Sequence, residues 1–211
     1  MASCITIVDY GMGNIGSVVG ALKFLGIEPK VTPDPEQVKI AHSIILPGVG
    51  SFRKAMEKLK ITGLDQAILE TVKSRGGAIL GICLGMQLLG AASTEDGESI
   101  GLALVPNRVD RFATDTSCPT KIPHVGFNTV RFSERKGLFS ELPERADFYF
   151  VHSYRMLQGD LEGRTAICDY GGEFLAAFET DRICGTQFHP EKSQTNGLIL
   201  LKNFIEMVSS C

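Results

Sequence analysis

The 211-residue sequence has no tryptophan and no excess of basic charge. Nor does any apolar run approach the ~20 residues that a membrane helix requires. Lys plus Arg total 21 against 24 for Asp plus Glu, a net charge of −3. Nucleic-acid and anionic-membrane partners call for a basic patch, so neither is expected. The six cysteines (Cys4, Cys83, Cys118, Cys168, Cys184 and Cys211) form no C-x-x-C pair and no Cys/His cluster with zinc spacing. A disulfide framework and a structural metal are therefore not expected. Met1 to Ile5 lacks a charged n-region leading into a long apolar stretch, so a signal peptide is not expected either. Repeats, low-complexity segments and Gly/Ser-rich linkers are absent too. What remains is a chain with 44% hydrophobic residues, enough for a real core. The expectation is one soluble domain, residues 1–211, in a reducing cytoplasm.

The first half alternates two periodicities. Cys4 to Val8, Ser43 to Leu46 and Ala78 to Ile82 read as buried strands rich in β-branched and aliphatic residues. Between them, Ile15, Val18, Val19, Leu22 and Leu25 recur at helical spacing and Gly26 follows as a stop. Further helical stretches run from Phe52 to Leu59 and from Leu64 to Ser74. Continuous apolar strands separated by helices predict parallel βαβ units covered on both faces. In the second half Thr129–Phe132, Asp147–His152, Thr165–Asp169, Phe174–Phe178 and Ile183–Phe188 read as strands with few helices between. A C-terminal helix carries Leu198, Leu201, Phe204, Ile205 and Val208 on one stripe. The fold class expected is α/β: a mixed, mainly parallel central sheet with helices on both faces, extended by antiparallel strands.

One segment carries chemistry. Ala78 to Leu89 is a buried strand, then Gly81-Ile82-Cys83-Leu84-Gly85, then an apolar helix. This is a nucleophile elbow with sulfur as the nucleophile. The turn leaves no room for side chains beside Cys83, and it places the thiol at a helix N-terminus, which favours thiolate. The Leu84 amide would then point toward a developing oxyanion. A thiol needs a base. His42 reads as a solvated surface residue, and His152 suits a structural hydrogen bond as well as a site role. His189 ends a strand and is followed by Pro190-Glu191; in extended chain, residues two apart face the same way, so Glu191 can orient the imidazole. Cys83, His189 and Glu191 thus form a candidate catalytic set of nucleophile, base and orienter. Gly11-Met12-Gly13-Asn14 has neither dinucleotide nor Walker spacing, so no cofactor is expected.

Gly81-Ile82-Cys83-Leu84-Gly85-Met86-Gln87 together with His189-Pro190-Glu191 resembles the class I (triad) glutamine amidotransferases, whose core is flavodoxin-like. Asp9 to Asn14, Leu46 to Phe52, Pro123-His124-Val125-Gly126 with Asn128, Phe150 to Tyr154 and His189 to Ser193 resemble one branch of it, the glutaminase subunits of imidazole glycerol phosphate synthases. The resemblance spans Ile5 to the C-terminal helix. It implies hydrolysis of glutamine through a Cys83 thioester, with His189 and Glu191 as above. Oxyanion donors would come from Val49, Gly50 and Leu84, the first two by a peptide reorientation when a partner is engaged. Gly48, Gln87, Glu95, Ser153 and Tyr154 match substrate-binding positions, although Glu95 also suits a solvated acidic loop with Asp96 and Glu98. The implied partner is a (β/α)8 cyclase subunit forming a heterodimer that receives ammonia and makes imidazole glycerol phosphate on the histidine route. Asn14, Phe127 and Lys192 fall at positions facing that partner. Phe127 stands where the family usually has Trp, which leaves open a paralogue feeding a surface-sugar amidotransferase.

Overall fold

The strands Ile5–Val8, Ser43–Gly48 and Ala78–Cys83 are buried along their length, as their apolar runs require. The structure, a computed structural model, describes residues 5–112, 121–159 and 161–209, so Cys4, Cys118 and Cys211 lie outside the described residues. In chain order the first half runs β1 (Ile5–Val8), α1 (Ile15–Phe24), β2 (Lys30–Thr32), α2 (Pro35–Lys39), β3 (Ser43–Gly48), α3 (Phe52–Thr62), α4 (Leu64–Leu69), β4 (Ala78–Cys83) and α5 (Leu84–Leu89). Asp34 caps α2 by accepting from the Glu36 amide, and Ser51 caps α3 by accepting from Lys54. The helical stretch that begins at Leu64 finishes in a π turn over Glu70–Ser74 rather than as α-helix. Strand β3 runs on through Pro47 to Gly48. The proline is tolerated because pairing with β1 stops at Ile45, leaving no ladder on that side for a missing N–H to break.

The second half adds β5 (Ala92–Ser93), β6 (Ser99–Ile100), β7 (Arg108–Arg111), β8 (His124–Phe132), β9 (Arg145–His152), β10 (Tyr154–Met156), β11 (Arg164–Asp169), β12 (Glu173–Thr180), β13 (Ile183–Thr186) and α6 (Gln194–Ser209). Nine strands form one mixed sheet in the order β2-β1-β3-β4-β13-β12-β11-β8-β9. From β2 to β13 the pairings are parallel; from β13 to β9 they are antiparallel. The smaller strands make a second sheet, β10-β7-β5-β6.

Alternation along the strands divides the core between two faces. Ile5, Ile7, Ile45 and Leu80 pack with Val18 and Leu22 of α1 and Leu201 and Phe204 of α6. Val8, Ile44, Leu46 and Ile79 pack with Phe52 and Leu59 of α3 and Leu84 and Leu88 of α5. Each such side chain, fully removed from water, contributes about 1.5–3 kcal/mol, which holds helices too short to persist alone against the sheet.

Candidate active site

The parallel strands β4 and β13 are neighbours, with Ile82 opposite Thr186, so their C-terminal ends reach the same edge of the sheet. In such sheets that edge is where loops diverge and a cleft opens. Cys83 sits at the end of β4 and His189 three residues beyond the end of β13, and the sheet order alone brings positions 83 and 189 together.

The corner at Cys83 is strained. Its backbone has φ 55° and ψ −110°, a conformation L residues seldom adopt. A Cβ on Gly81 would lie 2.7 Å from the Gly85 carbonyl group, and one on Gly85 would collide with the Leu46 carbonyl oxygen. The two glycines flanking the cysteine therefore serve close backbone approach. The free cysteines Cys83, Cys168 and Cys184 are all buried, and Cys83 lines a cavity of about 420 Å³. Burial pushes the Cys168 thiol up to about 12, and Cys184 is raised for the same reason.

The same cavity is lined by Val49, Gly50, Leu84, Gln87, Glu95, Val151, His152, Ser153, Tyr154 and His189. His189 Nδ1 lies 2.8 Å from Glu191 Oε1, and both side chains are almost wholly buried. That contact places a proton on Nδ1; Nε2 has no hydrogen-bond partner among the described residues. Burial is the largest influence on the imidazole and opposes its charged form. Cys83 and Glu191 together outweigh it, and the pKa is raised to about 10. The Cys83 sulfur itself lies 3.8 Å from Gln187 Nε2 and 4.0 Å from the Val151 carbonyl. Cys83 and His189 line the same cavity, and the thiol is near enough to raise the imidazole pKa although the contact falls short of normal hydrogen-bond geometry.

The remaining predicted residues divide in instructive ways. Gln87 donates its amide nitrogen to the Tyr154 carbonyl and to Gln187 Oε1, each at 2.9 Å, so what it can offer a ligand is its carbonyl oxygen. Glu95 lines the cavity while one of its oxygens accepts from the Phe52 amide at 2.7 Å, at the start of α3. Its pKa is raised, chiefly by burial, against the lowering effect of that bond. Gly48 does not line the cavity but lies behind its wall. Val49 donates its backbone N–H to the Met12 carbonyl at 3.0 Å, so this amide is engaged and not directed at an oxyanion. The Leu84 amide opens the first turn of α5, where amides lack intrahelical partners.

The other histidines resolve as well. His42 is exposed. His152 has both ring nitrogens engaged, Nδ1 with the Tyr154 carbonyl at 2.8 Å and Nε2 with His124 Nδ1 at 3.0 Å. Burial lowers His152 to about 3 and His124 to about 4, keeping both neutral. Outside the cavity, Phe127 stacks edge-on with Tyr149 at 5.6 Å, and Lys192 Nζ lies 5.9 Å over the same ring. Helix α1, which begins after Asn14, packs against the 3-10 turn Pro190–Lys192. Asn14, Phe127 and Lys192 thus belong to one side of the molecule. Val49, Val125, Phe127 and Val151 there are all more than a third exposed. Sequence reasoning gave no role to Gln187 or Tyr10, and placed Met12 only within the Asp9 to Asn14 segment. Gln187 had a usable signal, since it is two residues before His189 on extended chain.

The chain matches the Glutamine amidotransferase class-I family over residues 6–207. It is 47% identical over 204 residues to the imidazole glycerol phosphate synthase subunit HisH of Moorella thermoacetica, covering 97% of this chain and 95% of that one. The corresponding subunit of Geobacter sulfurreducens is 45% identical over 206 residues, covering 96% and 98%. A crystal structure of a glutamine amidotransferase superposes with a TM-score of 0.74 at 19% identity, over 97% of this chain and 98% of that one, a likeness of fold.

Proposed function

The chain belongs to the class-I glutamine amidotransferase family, and from that premise we propose that it is the glutaminase subunit of an imidazole glycerol phosphate synthase. It hydrolyses glutamine to glutamate and ammonia, and delivers the ammonia to a (β/α)8 cyclase subunit with which it forms a heterodimer. The observation that carries this reading is the meeting of Cys83 and the His189–Glu191 pair in one cavity of a chain that is 40–47% identical, over nearly its whole length, to subunits bearing that name.

In the proposed reaction the Cys83 proton already rests on His189 Nε2, whose raised pKa favours the imidazolium, and the thiolate Sγ attacks the γ-carboxamide carbon of glutamine. The Leu84 amide holds the oxyanion of the tetrahedral adduct. Collapse breaks the C–N bond, His189 returns the proton to the departing nitrogen, and ammonia leaves. Water, deprotonated by His189, then cleaves the thioester to glutamate and free thiol. Glu191 keeps the Nδ1 proton in place and stabilises the imidazolium that forms twice per cycle. Glu95 offers its remaining carboxylate oxygen to the substrate's α-ammonium group, and Ser153 and Tyr154 border the same end. A second oxyanion donor, the Val49 amide, requires release from the Met12 carbonyl. That release is the step we assign to docking of the partner on the face bearing Asn14, Phe127 and Lys192. Ammonia set free in bulk water would be protonated, so directed transfer needs that docked partner.

The test is glutamate release by this chain with the cyclase subunit and its phosphoribosyl imidazolecarboxamide substrate, scored against formation of imidazole glycerol phosphate. Coupled formation of both products is expected. Absence of glutamate, or glutamate without the cyclised product, overturns the assignment.

A further inference from the structure

We propose that the Tyr10 hydroxyl is a positioning donor for the oxyanion strand: without an acceptor in the resting arrangement, it takes up the Gly48 carbonyl when the Gly48–Val49 peptide turns to present the Val49 amide to the cavity. The inference rests on the glutaminase reading of the site and adds a residue to it.

Tyr10 lies just beyond β1, and β1 and β3 run parallel, so Tyr10 stands beside the end of β3. The residue is 3% exposed, and its Oη has no hydrogen-bond partner among the described residues. Buried hydroxyls are nearly always paired, and an unpaired one calls for an explanation. The hydroxyl is also in close reach of the strand, because a Cβ on Gly48 would collide with Tyr10 Oη.

A peptide's N–H and C=O point in opposite directions across its plane. The Val49 N–H points at the Met12 carbonyl, so the Gly48 carbonyl points away from residues 10–12. Turning this peptide toward the cavity exchanges the two groups. The Gly48 carbonyl then faces residues 10–12, where the Met12 carbonyl has just lost its donor. The turned carbonyl needs a donor that is already buried nearby. Tyr10 Oη, which lies against Gly48 itself, is a buried donor of that kind. Its acidity is suppressed, mainly by burial and further by Cys83, so the hydroxyl keeps its proton for donation. Gly50, at φ 103°, supplies the backbone freedom for the turn on the other side of Val49.

The experiment compares the parent chain with Tyr10→Phe, which keeps the ring packing and removes only the oxygen. In complex with the cyclase subunit, the variant should show a glutaminase kcat lowered about tenfold, with KM for glutamine within about twofold. Its thermal midpoint should equal or exceed the parent's, because an unpaired buried oxygen is gone. Hydrogen exchange at the Val49 amide of the glutamine-bound complex should stay slow in the variant and quicken in the parent. An unchanged kcat overturns the proposal. So does a loss of kcat accompanied by a lower thermal midpoint, which would mark Tyr10 as packing alone. A parent complex that releases no glutamate would instead sink the glutaminase reading, and Val49 exchange in the two chains would still decide the role of Tyr10.

Discussion

At the scale of single residues, the site depends on what burial does to titratable groups. Replacing Cys83 by Ala removes the proposed nucleophile and should lower glutamate release by at least about 10³-fold, measured in the complex, with the circular-dichroism spectrum unchanged. Glu191→Gln keeps the side chain's shape but loses the charge that fixes the His189 tautomer. A fall in kcat of roughly 10²–10⁴-fold is expected, and a variant at parental rate would show that Glu191 does not orient the base. The raised His189 stabilises the fold fully below pH ~6.5, the unfolded imidazole's value, and that contribution is lost as pH rises toward about 10. His124 and His152 act oppositely. They are neutral when folded and protonated when unfolded between about 4 or 3 and pH ~6.5, so stability falls as acid is added through that window. Thermal midpoints measured across pH 3–7 should drop steeply in the parent and less in a His124→Gln/His152→Gln double variant. Equal slopes would remove the pair from the account.

At the scale of elements, the β4–α5 corner was readable because its constraint is local. Glycines on either side of Cys83 announce a turn in which backbones touch, and the Leu46 carbonyl of β3 is what Gly85 touches. Gly85→Ala should destabilise the chain by about 3 kcal/mol or more, since a strand carbonyl cannot move aside like a side chain. Gly20, in the exposed middle of α1, is the contrast: a Cβ there meets nothing within 4 Å. Gly20→Ala should stabilise by about 0.5–1 kcal/mol in denaturant unfolding. The elements that sequence reading did not foresee are the short ones. Strands β5, β6 and β10 have two or three residues, too few to display a period, and β2 hides between Pro29 and Pro33. The final strand ends at Thr186 and not at Phe188, although the Gln187 amide still donates to the Ala176 carbonyl of β12 at 2.8 Å.

At the scale of the whole molecule, one face is incomplete by itself. Val49, Val125 and Phe127 are exposed, and the Val49 amide, the second oxyanion donor in the proposed reaction, is bound to the Met12 carbonyl. The isolated chain should therefore turn over glutamine slowly. Adding the cyclase subunit should raise kcat by roughly 10²–10³-fold, the effect of one oxyanion donor. Phe127→Ala should weaken docking by about tenfold or more in Kd, with little change in thermal midpoint; unaltered affinity would place the partner elsewhere.

The amino-acid sequence by itself determined whatever is written in near neighbours: the alternation of strands and helices in the first half, the corner at Cys83, and the pairing of His189 with Glu191 two residues on. Each follows from backbone periodicity or steric room within a few residues. Only the tertiary structure decided that β13 lies against β4, putting positions a hundred apart into one cavity. It also decided that Gln187 joins Gln87 to Cys83, that His124 occupies His152, and that Met12 holds the Val49 amide. Those contacts arise from strand order and from the need of each buried polar group for a partner, and neither leaves a periodic trace along the chain.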